Sequence, residues 1–325
     1  MDKYSDNYSP TGRLLWDSWF INRKDECHVF HLQSRSKINP IERHTRGASI
    51  GHAISKDYMN WQEQPTALIR GERGEWDDKD LWSGSVAEKD GVYYLYYGGT
   101  NSAPKMENIQ KIGLATSKDL HTWVKHPQNP ILEVDSRYYQ LDNERNAIGK
   151  IGAWRDPFVF KDPNSEKRYM TISARVKGES REYNACVALA ESDNMTNWKV
   201  LPPIFSPGVY DEIEVSRVIF HSGLYYLFFT THAGNYKPDF AQKHGAHEGL
   251  HCYYSENLFG GYKPVNGNGV VSSNGDEIYD IRVLHIVDND FIGIGWLNHD
   301  EEGKFIGKLS HPMKIRIEGD RVYEI

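Results

Sequence analysis

The chain has 325 residues, 39% of them hydrophobic and 13% aromatic, enough to enclose a large core. Its net charge of -7 argues against nucleic acid as a partner, and no apolar run reaches the roughly 18 residues of a membrane span. Three cysteines far apart (Cys27, Cys186, Cys252) argue against a disulfide framework, and the polar start Met1–Asp6 carries no export signal, so a cytoplasmic protein is expected.

Residues 15–20 open the chain's ordered pattern as an alternating apolar strand, and a basic stretch, 34–46, follows within the same unit. Ile50-Gly51-His52-Ala53-Ile54-Ser55-Lys56-Asp57 then leads to Trp61. The same pattern returns at 112–119 before Trp123, at 187–192 before Trp198 and, more weakly, at 251–255 before Tyr262. Each copy reads as a strand, a polar turn and an outer strand begun by an aromatic. Tyrosine-rich strands at 91–98 and 223–230, and a related one at 168–173, precede the later copies. One step earlier stand the strand starts 15–20, 81–86, 154–160, 212–220 and 279–285. Start strand, Tyr-rich strand, Ser-Lys-Asp strand and outer strand make a four-stranded meander the size of one propeller blade. The fold class is all-β: a single-domain five-bladed β-propeller of four-stranded antiparallel blades, spanning 1–325 with no C-terminal β-sandwich.

In a propeller the first strand of each blade lines the axis. Aligning the five starts brings Asp17, Ser83, Asp156, Glu214 and Asp280 together, with Glu212 two residues from Glu214 and expected on the same strand face. Gathering carboxylates costs folding energy, so the cluster points to a site. Two carboxyl groups, one ionised and one protonated, are what glycoside hydrolysis needs. Crowding by Asp17 and Asp156 is expected to raise the pKa of Glu214. Trp16, Trp19, Trp82 and Trp154 neighbour the axis, as sugar platforms or as packing between blades.

Leu15-Trp16-Asp17-Ser18-Trp19, Leu81-Trp82-Ser83-Gly84-Ser85, Trp154-Arg155-Asp156-Pro157 and Asp211-Glu212-Ile213-Glu214 resemble the motifs of the fructan-active glycoside hydrolase clan. That clan holds the invertase/levanase and levansucrase families. The resemblance implies a retaining β-fructofuranosidase acting on sucrose or short fructans through a covalent fructosyl-enzyme. Asp17 would be the nucleophile, Asp156 the transition-state stabiliser and Glu214 the general acid/base, with Glu212 the alternative acid. Arg155 and Glu212 would hold fructosyl hydroxyls, Ser83 would support the nucleophile, and Trp16 and Trp82 would line the sugar pocket. His232 and Asp280 complete the substrate-binding candidates. A fructosyltransferase, an arabinofuranosidase and a non-catalytic sugar-binding propeller are the alternatives. Val215 and His232 stand where the levansucrase pattern has arginines, which favours hydrolysis over polymer building.

A small carbohydrate is the expected partner, and no cofactor or metal is expected. His244-Gly245-Ala246-His247-Glu248 has loose metal-ligand spacing without a fourth ligand. Arg35, Lys37, Arg43 and Arg46 in the basic stretch are either a solvated loop or a seat for a phosphorylated or acidic sugar.

Overall fold

Each repeated serine closes the third strand of a sheet: Ser49–Ser55, Lys111–Ser117, Ala185–Ser192 and Gly249–Ser255. The computed structural model describes residues 3–45, 47–178, 180–287 and 290–325. The turn after each serine is held by side chains. Asp119 Oδ1 accepts from the Ser117 hydroxyl at 2.9 Å and from the His121 and Thr122 amides at 2.8 Å. Asp57 repeats this at the first copy, and Asn194 does so at the third. Such short polar side chains offer the backbone an alternative to extending the strand, and this is why the sequence turns there. The following aromatic then seats the outer strand, and Trp123 Nε1 donates back to Leu120 O at 3.1 Å. Asp119→Ala should therefore lower stability by about 1–2 kcal/mol without disturbing the axis. A urea-denaturation midpoint measures it.

The strands form five antiparallel sheets in chain order, the five blades. Blade one is Arg13–Arg23, Glu26–Arg35, Ser49–Ser55 and Gln62–Glu63. The innermost strands of the other four are Asp80–Lys89, Trp154–Lys161, Glu214–His221 and Ile278–Val287. Blade five departs from the four-strand expectation. Phe305–Leu309 and Met313–Glu318 share its third position, both pairing with Asp290–His299. Between them lie Ser310, His311 and Pro312, and proline has no N–H to give a ladder.

Apolar side chains fill the seams between blades. Leu15, Phe30, Leu95 and Trp296 share one cluster, and Tyr96, Met170 and Trp154 a second. Phe30 meets Trp123 of the next blade edge-on at 5.5 Å, so the repeated tryptophan is an inter-blade contact. The ring closes where Leu309 N donates to Tyr8 O at 2.8 Å, tying the last blade to the segment before the first.

The innermost strands share one irregularity. The register slips between Trp16 and Ser18, Trp82 and Gly84, Glu214 and Arg217, and Tyr279 and Arg282, and blade three slips opposite Thr171 and Ser173. The bulged residues take left-handed backbone: Asp17 (φ 37°), Asp156 (φ 57°), Val215 (φ 50°) and Asp280 (φ 48°). Blade two has Ser83 at this place, followed by Gly84, where a Cβ would collide with the Tyr96 carbonyl oxygen. Such bulges re-aim side chains, here toward the axis. The equivalent set is thus Asp17, Ser83, Asp156, Val215 and Asp280, so Glu214 stands one residue earlier than the sequence alignment put it. Trp16, Trp82, Arg155, Glu214 and Tyr279 form a second set just before the bulge.

Candidate active site

A cavity of about 500 Å³ opens on the axis, lined by Asp17, Asp156 and Glu214 together with Trp82, Arg155, Glu212, His232 and Tyr279. All three expected catalytic carboxylates therefore face one space. Arg155 binds two of the acids, with Nη2 3.0 Å from both Glu212 Oε1 and Glu214 Oε1. Glu212 precedes the strand that starts at Glu214, contrary to the expectation of a shared strand. It reaches the site through Arg155, and Lys150 Nζ holds its other oxygen at 3.1 Å. Asp211, in the same motif, is wholly buried and ties down the 146–183 side of the rim through Arg175 (3.3 Å) and the Tyr183 amide (2.8 Å).

Asp156 Oδ2 accepts from Ser173 Oγ at 2.8 Å and from the Val215 amide at 3.0 Å. A β-branched residue at positive φ is an outlier, and this bond is what its strained backbone serves. Burial raises the pKa of Asp156, against the pull of Arg155. Asp17 is held well above the carboxylate range by burial and by the charges of Asp280 and Asp156. Glu214 goes the other way from expectation. Burial would raise it, but Arg155 and His232 overrule burial and bring it to about 2. Tyr279 OH donates to its Oε2 at 2.7 Å, adding to the same effect.

His232 sits on the rim, stacked on Tyr279 with centroids 4.5 Å apart. Its Nδ1 lies 3.0 Å from Glu248 Oε1 and its Nε2 3.7 Å from Glu214 Oε2, and these carboxylates raise its pKa despite burial. Glu248 thus serves His232. Among the described residues no group of three His, Cys, Asp or Glu is placed to hold a metal ion.

Three candidates lie outside the cavity lining. Asp280 is 1% exposed and sits below, with Oδ1 2.7 Å from Arg282 Nε and 3.9 Å from Arg217 Nη1. Burial still raises it to about 6, so it acts on Asp17 by charge and not as a sugar contact. Ser83 is fully buried and accepts from Arg282 Nη2 at 3.2 Å. Trp16 is fully buried too, because the basic stretch folds over it. The 3-10 turn Pro40–Thr45 brings the Arg43 guanidinium 5.8 Å from the Trp16 ring and 4.7 Å from Phe305. His44 stacks on Trp82 at 5.5 Å. Arg43 and His44 therefore roof the cavity, which composition could not reveal, whereas Lys37 is exposed. Arg46 lies outside the described residues. The sequence reading also missed Lys150 and Tyr279 OH. Tyr279 was recoverable, as the fifth member of the set before the bulge.

Asp80 anchors this roof. Its Oδ1 accepts from the Gly47 and Ala48 amides at 2.7 and 3.1 Å, and burial raises its pKa to about 6. A raised folded pKa means that the native state keeps a proton that the unfolded chain has lost. Stability from this group is complete below about 3.9 and lost as pH rises to about 6. Asp80→Asn should flatten that part of the stability–pH curve, as measured by thermal unfolding between pH 4 and pH 7.

The family model "Glycosyl hydrolases family 32 N-terminal domain" matches residues 18–322. The chain belongs to that family. This member is 26% identical over 361 residues to an extracellular sucrase of Zymomonas mobilis subsp. mobilis, covering 95% of this chain and 84% of the relative. A levansucrase of Pseudomonas syringae pv. actinidiae is 28% identical over 223 residues, covering 59% of this chain and 50% of the relative. Among solved structures, an inulosucrase from Halalkalicoccus jeotgali bound to kestose superposes with TM-score 0.82 at 22% identity, over 98% of this chain and 89% of that one. Bacillus subtilis levansucrase gives TM-score 0.75 at 18% identity, over 98% and 88% of the two chains. Those two likenesses bear on the fold, and both agree with the five-bladed propeller. The family and the relatives make this chain a glycosidase of the fructosyl-active kind.

Proposed function

We propose that this family member hydrolyses sucrose or short fructo-oligosaccharides with retention of configuration. The observation that carries the reading is the convergence of Asp17, Asp156 and Glu214 on one cavity, with Arg155 clamping Glu212 and Glu214. Asp17 attacks the anomeric carbon, and Glu214 protonates the departing oxygen and then activates water. Asp156, fixed by Ser173 and the Val215 amide, braces the hydroxyls of the fructosyl ring. Arg155, Glu212 and Lys150 supply polar contacts around it, and Trp82 supplies a flat face. Sucrose as substrate is supported by the sucrase and levansucrase that the chain resembles.

The test is a panel of sucrose, inulin-type and levan-type oligosaccharides and nitrophenyl arabinofuranosides, with products followed by NMR. Free glucose and fructose in equal amounts support hydrolysis. Glucose in excess of fructose, with growing oligomers, makes transfer the main activity. Turnover of the arabinofuranoside alone, or of nothing, rejects the reading. A cytoplasmic location belongs to the proposal as well; one relative is named an extracellular sucrase, and fractionation of the producing cells decides the point.

A further inference from the structure

On the outer side of the roof segment lies a second cleft, of about 890 Å³. Four arginines from three pieces of chain line it: Arg13, Arg35, and Arg70 with Arg73. Arg13 and Arg35 are directly opposed across the first two strands of blade one. Like charges so placed repel and are normally avoided in a sheet. None of Arg13, Arg35 and Arg73 has a carboxylate partner among the described residues. Arg70 is fixed in place, its Nη1 donating to the Asp78 and Lys79 carbonyls at 3.1 and 3.4 Å. Two carboxylates also border the cleft, and one of them is already committed. Asp78 accepts from the Gly74 amide at 2.7 Å, the Ser102 amide at 2.6 Å and the Ser102 hydroxyl at 2.8 Å. Asp78 also acts on Arg70 by charge, so Glu72 and Asp78 together face four guanidinium groups and the cleft keeps an excess of positive charge.

From this arrangement we infer that the outer cleft binds the dianionic phosphate group of a small ligand, either free phosphate or a phosphorylated sugar. Guanidinium forks match phosphate oxygens in pairs, and several forks around one space suit a dianion better than a single carboxylate. The cleft is separate from the axial cavity. Arg43, His44 and Thr45 of the basic stretch face the axis, whereas Arg35, Ile38 and Gly47 face the cleft. The basic stretch is thus divided in two: one part roofs the sugar site and the other serves the anion.

Isothermal titration of the full chain with inorganic phosphate, at constant ionic strength with chloride as the control, tests this. Constant ionic strength matters because exposed charges are screened over about 10 Å at 0.1 M salt. One saturable site per chain is expected, weakened at least tenfold in R35Q/R73Q. These two side chains are exposed and unpaired, so sucrose hydrolysis by the variant should stay within twofold of the parent. Saturating sucrose should leave phosphate affinity unchanged. The same titration with glucose 6-phosphate identifies the source: tighter binding than phosphate means a sugar phosphate, and equal binding means free phosphate. Absence of saturable binding, full binding by R35Q/R73Q, or displacement by sucrose overturns the inference, the last by placing the anion among Arg43, Lys150 and Arg155 of the axial cavity. The result does not depend on the proposed activity, since phosphate binding is read directly even if no sugar is turned over.

Discussion

Asp17→Asn should reduce sucrose turnover by about 10⁴-fold, the scale on which removing a covalent nucleophile acts, with sucrose binding retained. Asparagine keeps the size and the bulged backbone, which short polar residues tolerate at positive φ, so the pocket should survive. A fold control is built in: Asp17 is buried beside Asp280 and Asp156, where a neutral amide of the same size adds no charge, so the melting temperature should be unchanged or higher. Calorimetric titration with sucrose, together with initial rates, checks both halves. In the parent enzyme, NMR in the first minutes should find fructose released with the anomeric configuration it had in the substrate. Inverted product, or residual turnover above about 1% in Asp17→Asn with correct folding, would remove Asp17 from the nucleophile's role.

The second large effect is expected at Glu214. Glu214→Gln should slow sucrose by a factor on the order of 10² or more, and substrates with activated leaving groups far less, because only poor leaving groups need the proton. The structure adds a condition that the sequence did not suggest. Burial and its acidic neighbours raise the pKa of Asp17, while Arg155 and His232 lower that of Glu214 to about 2. The productive form, with Asp17 ionised and Glu214 protonated, therefore works against both shifts. A bell-shaped pH profile is therefore expected, with limbs that belong to the set of carboxylates and not to one residue. Replacing His232 by glutamine removes one of the charges that hold Glu214 down. His232→Gln should raise the pKa of Glu214 and so shift upward the limb of the kcat/KM profile that Glu214 governs. A profile unmoved by His232→Gln, or equal loss on good and poor leaving groups in Glu214→Gln, counts against Glu214 as the acid.

The sign for stability runs opposite for these two groups. Glu214, with its lowered pKa, contributes stability that is present above about 4.3 and lost as pH falls toward about 2. Asp280, raised to about 6, contributes below about 3.9 and loses that contribution as pH rises to about 6.

The repeated Ser-Xaa-Asp and Ser-Xaa-Asn turns and their aromatics were legible in the sequence because their physics is local. A side chain that caps its own turn writes a fixed spacing, and four such spacings give the blades. The carboxylates were legible as a group for a related reason: acids at four of the five strand starts, one blade's distance apart, point to the axis. Register was not. The bulge in each innermost strand inserts a residue whose presence depends on cross-strand pairing and on the Val215 amide finding Asp156, so aligning by residue type put Glu214 where Val215 belongs.

What the chain alone determined is the propeller, its five starts and the set of acids, since each follows from patterns within a few residues. Tertiary structure alone decided which candidates touch the cavity. Asp280, Ser83 and Trp16 were sealed beneath or behind it, while Arg43, His44, Lys150 and Tyr279 were brought in from elements far apart in sequence. It also decided where the protons rest. A carboxyl group's affinity for a proton is set by burial and by charges a few ångströms away, and those distances exist only once Arg155 has closed on Glu212 and Glu214.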